Sequence, residues 1–347
     1  MRCIQRLVYS AHVPMSIVAL RLASLRRLGG HVDHEGAHKA MAEFVDESVQ
    51  LASRDGGTRQ LAPSGDVLAH VTWGRVADSW YGQPTTRLLV DAAGPEHHEW
   101  LAATLREVLP TLDDTVDLQL FVDYASLIPV FEELGFGLDT VVTVGQLDDA
   151  IAALPESALQ RPSALGLRVA PLAEADIAPL VDLERAYFAA YPEYCWFGTN
   201  DGYLGKRAEM LAENVDKPWR RSVFYGDTLV GGVGVDVHDS PFWRDVSGAD
   251  LTFAPPYIGK GLATWAYAYC LRAARTAGST TFRGGTSQIA VLTLGARMGR
   301  RAESFIIRKN VHFPRAYFTP HIPALRGLPL QDPNTLPAAR THTTESS

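Results

Sequence analysis

Residues Phe253-Ala254-Pro255-Pro256-Tyr257-Ile258-Gly259-Lys260-Gly261-Leu262-Ala263 carry the clearest chemical signal in the chain. They lie between a run that reads as a strand, DVSGADLTFAP, and one that reads as a helix, GKGLATWAYAYCLRAARTAG. Glycines at 259 and 261 let the backbone turn closely with unhindered N–H groups, and a helix starting there adds its partial positive end. Together they make a cradle for phosphate, with Lys260 placed to add charge at the rim. Lys260 is followed by Gly261 rather than Ser or Thr, which excludes the Walker pattern, and no G-x-G-x-x-G opens the helix. Three titratable residues lie near the motif. Asp250 sits inside an apolar strand, where a carboxylate needs either a partner or a task. Asp236 and His238 end the preceding strand, and histidine has the unperturbed pKa best suited to proton transfer near neutrality.

The elements that must position these residues follow from periodicity and punctuation. ALRLASLRRLGG and EGAHKAMAEFVDESVQLASR read as helices, the first closed by Gly29-Gly30 and the second by the DGG at 55–57. DVLAHVTWGRV and TRLLVDAA are strands around the turn YGQP. PEHHEWLAATLREVL is a helix with Pro95 in its first turn. Strand VDLQLFVD, helix YASLIPVFEELG and strand LDTVVTVG follow. After residue 166 a similar order begins again. LAEADIAPLVDLERAYFAAYP and GYLGKRAEMLAENV are helices, and RRSVFYGDTLVGGVGVDVHD is a hairpin turned at Gly226-Asp227. The cradle's strand and helix come next, then strand TTFRGG, helix SQIAVLTLGARMG and strand RAESFIIRKN.

The repeat is one of pattern, not of letters. It divides the chain into a domain over 1–153, a linker rich in Pro, Ser and Ala over 154–166, a domain over 167–325 and a disordered tail over 326–347. One large α/β domain is the alternative.

The 347 residues are 46% hydrophobic and 20% charged with a net charge of -7, which excludes wholesale disorder, a collagen-like chain and a basic nucleic-acid scaffold. No run of 18 apolar residues is present, so no transmembrane helix is expected. Three widely spaced cysteines, Cys3, Cys195 and Cys270, suit neither a disulfide framework nor a zinc site. The first residues have a weak signal-like look that His12, Pro14 and Ser16 interrupt, so the expected compartment is the cytoplasm.

The cradle and its flanks resemble the acetyl-coenzyme A motif of the GCN5-related N-acetyltransferases, V-x-P-x-Y-R-G-K-G-x-G/A. Phe253, Pro255, Tyr257, Gly259, Lys260, Gly261 and Ala263 stand in register, and Ile258 departs from the usual Arg or Gln. Downstream, Gln288 aligns with the family's Asn, and Met298 and Gly299 with the start of its Leu-Gly-Phe, with Arg300 in place of Phe. Gly295 stands where a tyrosine acid is common. In the first half, YASLIPVFEELGF resembles the helix-to-Leu-Gly-Phe segment, but Gly94-Pro95-Glu96-His97-His98 replaces the cradle. Proline removes a donor and Glu96 repels phosphate. The layout resembles that of tandem acetyltransferases, over about residues 35–320.

The resemblance implies an α/β (α+β) fold of two tandem domains, each a mixed, mostly antiparallel twisted sheet flanked by helices, with only the second binding acetyl-coenzyme A. Phe253, Ala254, Pro255, Ile258, Gly259, Lys260, Gly261, Leu262, Ala263 and Gln288 would hold the donor, with no metal. The expected reaction is direct attack of a small molecule's amine on the thioester. The N–H of Phe253 or Ala254 would polarise the carbonyl, and Asp250 would be the base, with His238 and Asp236 behind it. The aromatic-rich segment AAYPEYCWFGTNDGY, 189–203, falls where the acceptor would enter. A coenzyme A-binding module without catalysis and a protein N-acetyltransferase are the alternatives. No nucleic-acid or membrane partner is expected, and the chain should be a monomer or a homodimer.

Overall fold

The computed structural model of the chain describes residues 15–309, apart from 28–29, 31, 63–66, 113–115, 191–197, 239–241, 243–245 and 287–288. The tail expected over 326–347 therefore lies outside the described residues, as do Cys3, Cys195 and Gln288.

The first half begins with helices α1 (Met15–Arg27) and α2 (Glu35–Asp55). An antiparallel meander follows, made of β1 (Gly56–Leu61), β2 (Ala69–Val76) and β3 (Thr85–Ala92). Then come α3 (His98–Val108), β4 (Val116–Phe121), α4 (Ile128–Glu133) and β5 (Gly137–Gln146). Helices α5 (Leu147–Ala152) and α6 (Arg161–Ala164) lead into the second half. That half runs β6 (Leu167–Pro171), α7 (Ile177–Ala190), α8 (Asp201–Ala212), β7 (Arg220–Tyr225), β8 (Thr228–His238) and β9 (Val246–Phe253). It closes with α9 (Leu262–Thr276), β10 (Thr281–Thr286), α10 (Ile289–Arg297) and β11 (Arg301–Lys309).

Among the described residues these strands form one 11-stranded sheet, ordered β1-β2-β3-β4-β11-β5-β10-β9-β8-β7-β6. It is mixed and mostly antiparallel, with parallel pairing only at β3–β4 and β9–β10. The last strands of the two halves change places. β11 lies antiparallel to β4, from Ser304 opposite Phe121 to Lys309 opposite Val116, and β5 lies antiparallel to β10. The two exchanged strands then pair with each other. The cores follow the same exchange. Phe305 and Ile307 of β11, with Leu292 and Ala296 of α10, pack into the first half's core. Leu147 and Ala150 of α5 pack into the second half's core, against α9.

The expected strands and helices are present in the expected order, with α5, β1 and β6 in addition. β1 and β6 are edge strands at opposite ends of the sheet, largely solvent-facing, so they lack the apolar alternation that announces a strand. The Gly-Gly after α2 ends that helix and also opens β1. The segment 154–166, expected as a linker, forms helical turns held on α9 by buried Leu154 and half-buried Leu159 and Leu165.

In the second half α9 covers one face of the sheet and α7 the other. Trp265, Ala266, Cys270 and Leu271 recur on one side of α9 at helical spacing and bury against Val233 and Val235 of β8. Leu180 of α7 packs over Gly232 on the opposite face.

Candidate active site

β9 and β10 pair over only two residues, Val246 with Thr281 and Ser247 with Phe282. Beyond that point they part, and the sheet opens into a wedge. Ala254 donates its N–H to Val230 C=O. Antiparallel partners alternate, so Gly248, Asp250 and Thr252 bond across to β8, while the N–H and C=O groups of Ala249, Leu251 and Phe253 face the wedge. Of the two donors expected to polarise a carbonyl, Ala254 is thus engaged within the hairpin and Phe253 is the one aimed at the opening.

The cradle closes one end of the wedge. Pro255–Tyr257 make a single tight turn, and Gly259 and Gly261 both adopt left-handed backbone, at φ 77° and 79°. Gly261 is the N-cap of α9, and the helix's first bond runs from Trp265 N–H to Gly261 C=O. The amides of Leu262, Ala263 and Thr264 consequently have no partner within the helix. No atom lies within 4 Å of where a Cβ on Gly259 would stand, so this backbone faces open space. The Lys260 ammonium lies 5.3 Å above the Tyr257 ring.

A cavity of about 580 Å³ joins this cradle to the wedge. Gly259, Gly261, Leu262 and Ala263 line one end; Phe253 and Thr286 line the splayed strands; Asp250, Glu184, Phe188 and Tyr203 line the other end. The volume is that of a cavity for a small molecule or cofactor. An open anion cradle continuous with an exposed strand edge fits the phosphate and pantetheine parts of coenzyme A.

The far end is charged. Asp250 accepts from Arg207 Nη2 at 2.8 Å and Arg220 Nη1 at 2.7 Å, both on Oδ2. Arg207 also forks onto buried Glu184, and Arg220 reaches Asp236. Gly234 makes room for that reach, since a Cβ there would lie 2.2 Å from Arg220 Cδ. Burial would raise the Asp250 pKa, but the two guanidiniums outweigh it and hold the carboxyl well below the usual range. Glu184 goes the other way. Burial pushes its carboxyl up, Arg207 offsets this only in part, and neighbouring Asp250 adds to the rise. Tyr203, largely buried beside them, keeps its phenol proton because burial pushes its pKa up.

Asp250 reaches the cavity, with its side chain 27% exposed. Held by two arginines, it is a weaker proton acceptor than an ordinary carboxylate. Asp236 is paired with Arg220 away from the cavity lining. His238 ends β8, and its side chain lies outside the described residues, as does the aromatic run Tyr191–Phe197. Phe253, Ile258, Gly259, Gly261, Leu262 and Ala263 all line the cavity. Ala254 and Pro255 serve the hairpin end and the turn. Sequence reading missed Glu184 and Arg207. The available signal was a charge on each helix's apolar stripe: Glu184 beside Leu180, Val181 and Phe188, and Arg207 between Leu204 and Leu211.

The first half repeats the hairpin but not the opening. Ala93 donates to Leu68 C=O as Ala254 does to Val230, so Ala92 corresponds to Phe253. Here both wedge-facing groups of Ala92 are occupied: its N–H donates to Tyr124 Oη at 3.0 Å, and Tyr124 O–H donates to its C=O at 3.1 Å. Tyr124 is buried, and Gly94-Pro95-Glu96-His97 enters α3 in place of the glycine cradle.

The chain is similar to GCN5-related N-acetyltransferases. One from Sphaerobacter thermophilus is 16% identical with a TM-score of 0.47, over 88% of this chain and 94% of that one. The tandem GNAT protein from the clavulanic acid biosynthesis pathway is 12% identical with a TM-score of 0.45, over 86% and 95%. The glucosamine N-acetyltransferase region of a fungal multi-domain GH3 β-N-acetylglucosaminidase is 13% identical with a TM-score of 0.46, over 76% of this chain; the chain spans 34% of that protein's length. No protein-family model and no curated protein matches the sequence. Among the described residues no helix is long and apolar enough to cross a membrane.

Proposed function

We propose that the chain is an acetyl-coenzyme A-dependent N-acetyltransferase whose second half passes the acetyl group to the amine of a small molecule. One observation carries this reading: the cavity of about 580 Å³ that runs unbroken from the glycine cradle, along the open edge of β9, to the carboxylates. The cradle amides take the donor's phosphates, and the wedge-facing groups of β9 hold its extended arm by adding to the strand edge. The Phe253 N–H points where charge grows on the thioester oxygen.

Asp250 anchors the incoming ammonium through the oxygen not clamped by arginine. Glu184, with its raised proton affinity, accepts the proton directly or through water. The freed amine forms a bond to the carbonyl carbon, the carbon–sulfur bond breaks, and sulfur leaves as thiolate, which takes up the second proton that the nitrogen loses on becoming an amide. Holding both reactants in one cavity supplies much of the rate.

The clamping of Asp250 also favours a second reading, a coenzyme A-binding chain without turnover. Release of free thiol from acetyl-coenzyme A separates the two, measured across polyamines, amino sugars and aminoacyl compounds. Amine-dependent release that Glu184→Gln abolishes supports the enzyme. Tight binding with no release from any amine overturns it.

A further inference from the structure

We propose that Arg161, in the segment between the two halves, is a donor-site residue that grips the pyrophosphate of coenzyme A. The proposal rests on reading the glycine cradle as a coenzyme A site. The segment is fastened to the outside of α9: Leu154 is buried there, Leu159 and Leu165 are half-buried, and Glu156 pairs with Arg272. This brings Arg161, the first residue of α6, alongside the cradle across 99 residues of sequence, where its Nε–H donates to Lys260 C=O. Its Nε lies 3.3 Å from where a Cβ on Gly261 would stand, so the guanidinium flanks the N-cap of α9.

That bond uses one of five N–H donors, and the two terminal nitrogens carry the other four. The molecule's other cradle-side groups make this surplus count. Ile258, 47% exposed, brings no charge to the rim, and the Lys260 ammonium sits over the Tyr257 ring. Arg207, Arg220, Arg272 and Arg283 all face carboxylates, whereas among the described residues no carboxylate pairs with Arg161. An uncompensated planar guanidinium next to free helix amides matches two phosphate oxygens at once. By holding the Lys260 carbonyl, Arg161 also fixes the turn so that amides, not carbonyls, face the anion. The segment joining the halves thereby becomes part of the donor site.

The test is calorimetric titration of the full chain with coenzyme A, 3′-dephospho-coenzyme A and pantetheine. Arg161→Ala should weaken coenzyme A and its 3′-dephospho form alike, by about 10- to 100-fold, and leave pantetheine unchanged. Arg161→Lys should recover part of the loss, because it restores charge but not the fork. Thermal melts of both variants should match the native chain, since the side chain is exposed. Equal affinity of native and Arg161→Ala chains for coenzyme A would overturn the proposal. A loss seen only with the 3′-phosphorylated form would overturn it too, by moving the contact to the 3′-phosphate. Failure of the native chain to bind coenzyme A at all would instead overturn the reading of the cradle.

Discussion

The two halves share one hairpin register and differ in what meets the end of its second strand. At Phe253 the backbone faces a cavity; at the corresponding Ala92 both backbone groups are taken by the Tyr124 hydroxyl. The charges differ in the same way. Asp250 keeps a quarter of its side chain in the cavity, whereas Asp91 is fully buried against Arg21 at 2.8 Å and His70 at 3.0 Å. One fold thus serves twice, once as a site and once as a wall. The wall is not idle, because its last strand completes the other half's sheet.

The largest effect should come from separating the halves. Within its own half β10 pairs over two residues with β9, and β11 pairs with no strand there; both depend on β5. Burying Phe305 and Ile307 is worth about 3–6 kcal/mol, against about 5–15 for a whole domain. Residues 167–347 expressed alone should therefore lack cooperative unfolding, as read by circular dichroism. A sharp thermal transition for that fragment would break the comparison.

Next is Gly261→Glu, which places a side chain at φ 79° and an acid in the cradle. Coenzyme A binding should fall at least about 100-fold, while Glu96→Gln in the other half leaves it unchanged. Asp250→Asn removes the shared partner of Arg207 and Arg220. The kcat/KM for the acceptor should drop by about tenfold or more through a higher acceptor KM, with donor affinity shifted by less than about threefold.

Smaller effects probe the closed half. Tyr124→Phe leaves the Ala92 N–H and C=O buried without partners, at a cost of about 1–3 kcal/mol in denaturant unfolding, and should not change donor stoichiometry. Acid should also destabilise the chain. The Asp91 pKa is lowered, since Arg21 and His70 outweigh the burial that would raise it. A folded pKa below the unfolded value near 3.9 gives stability that is full above that pH and lost as pH falls through the folded value. Melts between pH 6 and 3 should fall less steeply for Asp91→Asn.

Local features of this molecule were legible in the sequence. The glycine cradle, the Gly226 turn and the apolar stripe of α9 are written in neighbouring residues, and so is the cradle's absence at Gly94–His98. What could not be read is long-range. The apolar run in SFIIRK buries equally well beside β10 or beside β4, so the sequence of β11 does not reveal the exchange. Asp250 stands out in the sequence as an odd carboxylate, but its partners Arg207 and Arg220 lie 43 and 30 residues away. The Tyr124–Ala92 contact is hidden for the same reason: Tyr124 opens a family-like helix in the sequence, and only the fold brings it to Ala92.

The central claim is that one wedge is open and the other closed. Isothermal titration of the intact chain with acetyl-coenzyme A tests it most directly. One site per chain is expected, lost in Gly261→Glu and kept in Tyr124→Phe. Two sites per chain, or none, would contradict it.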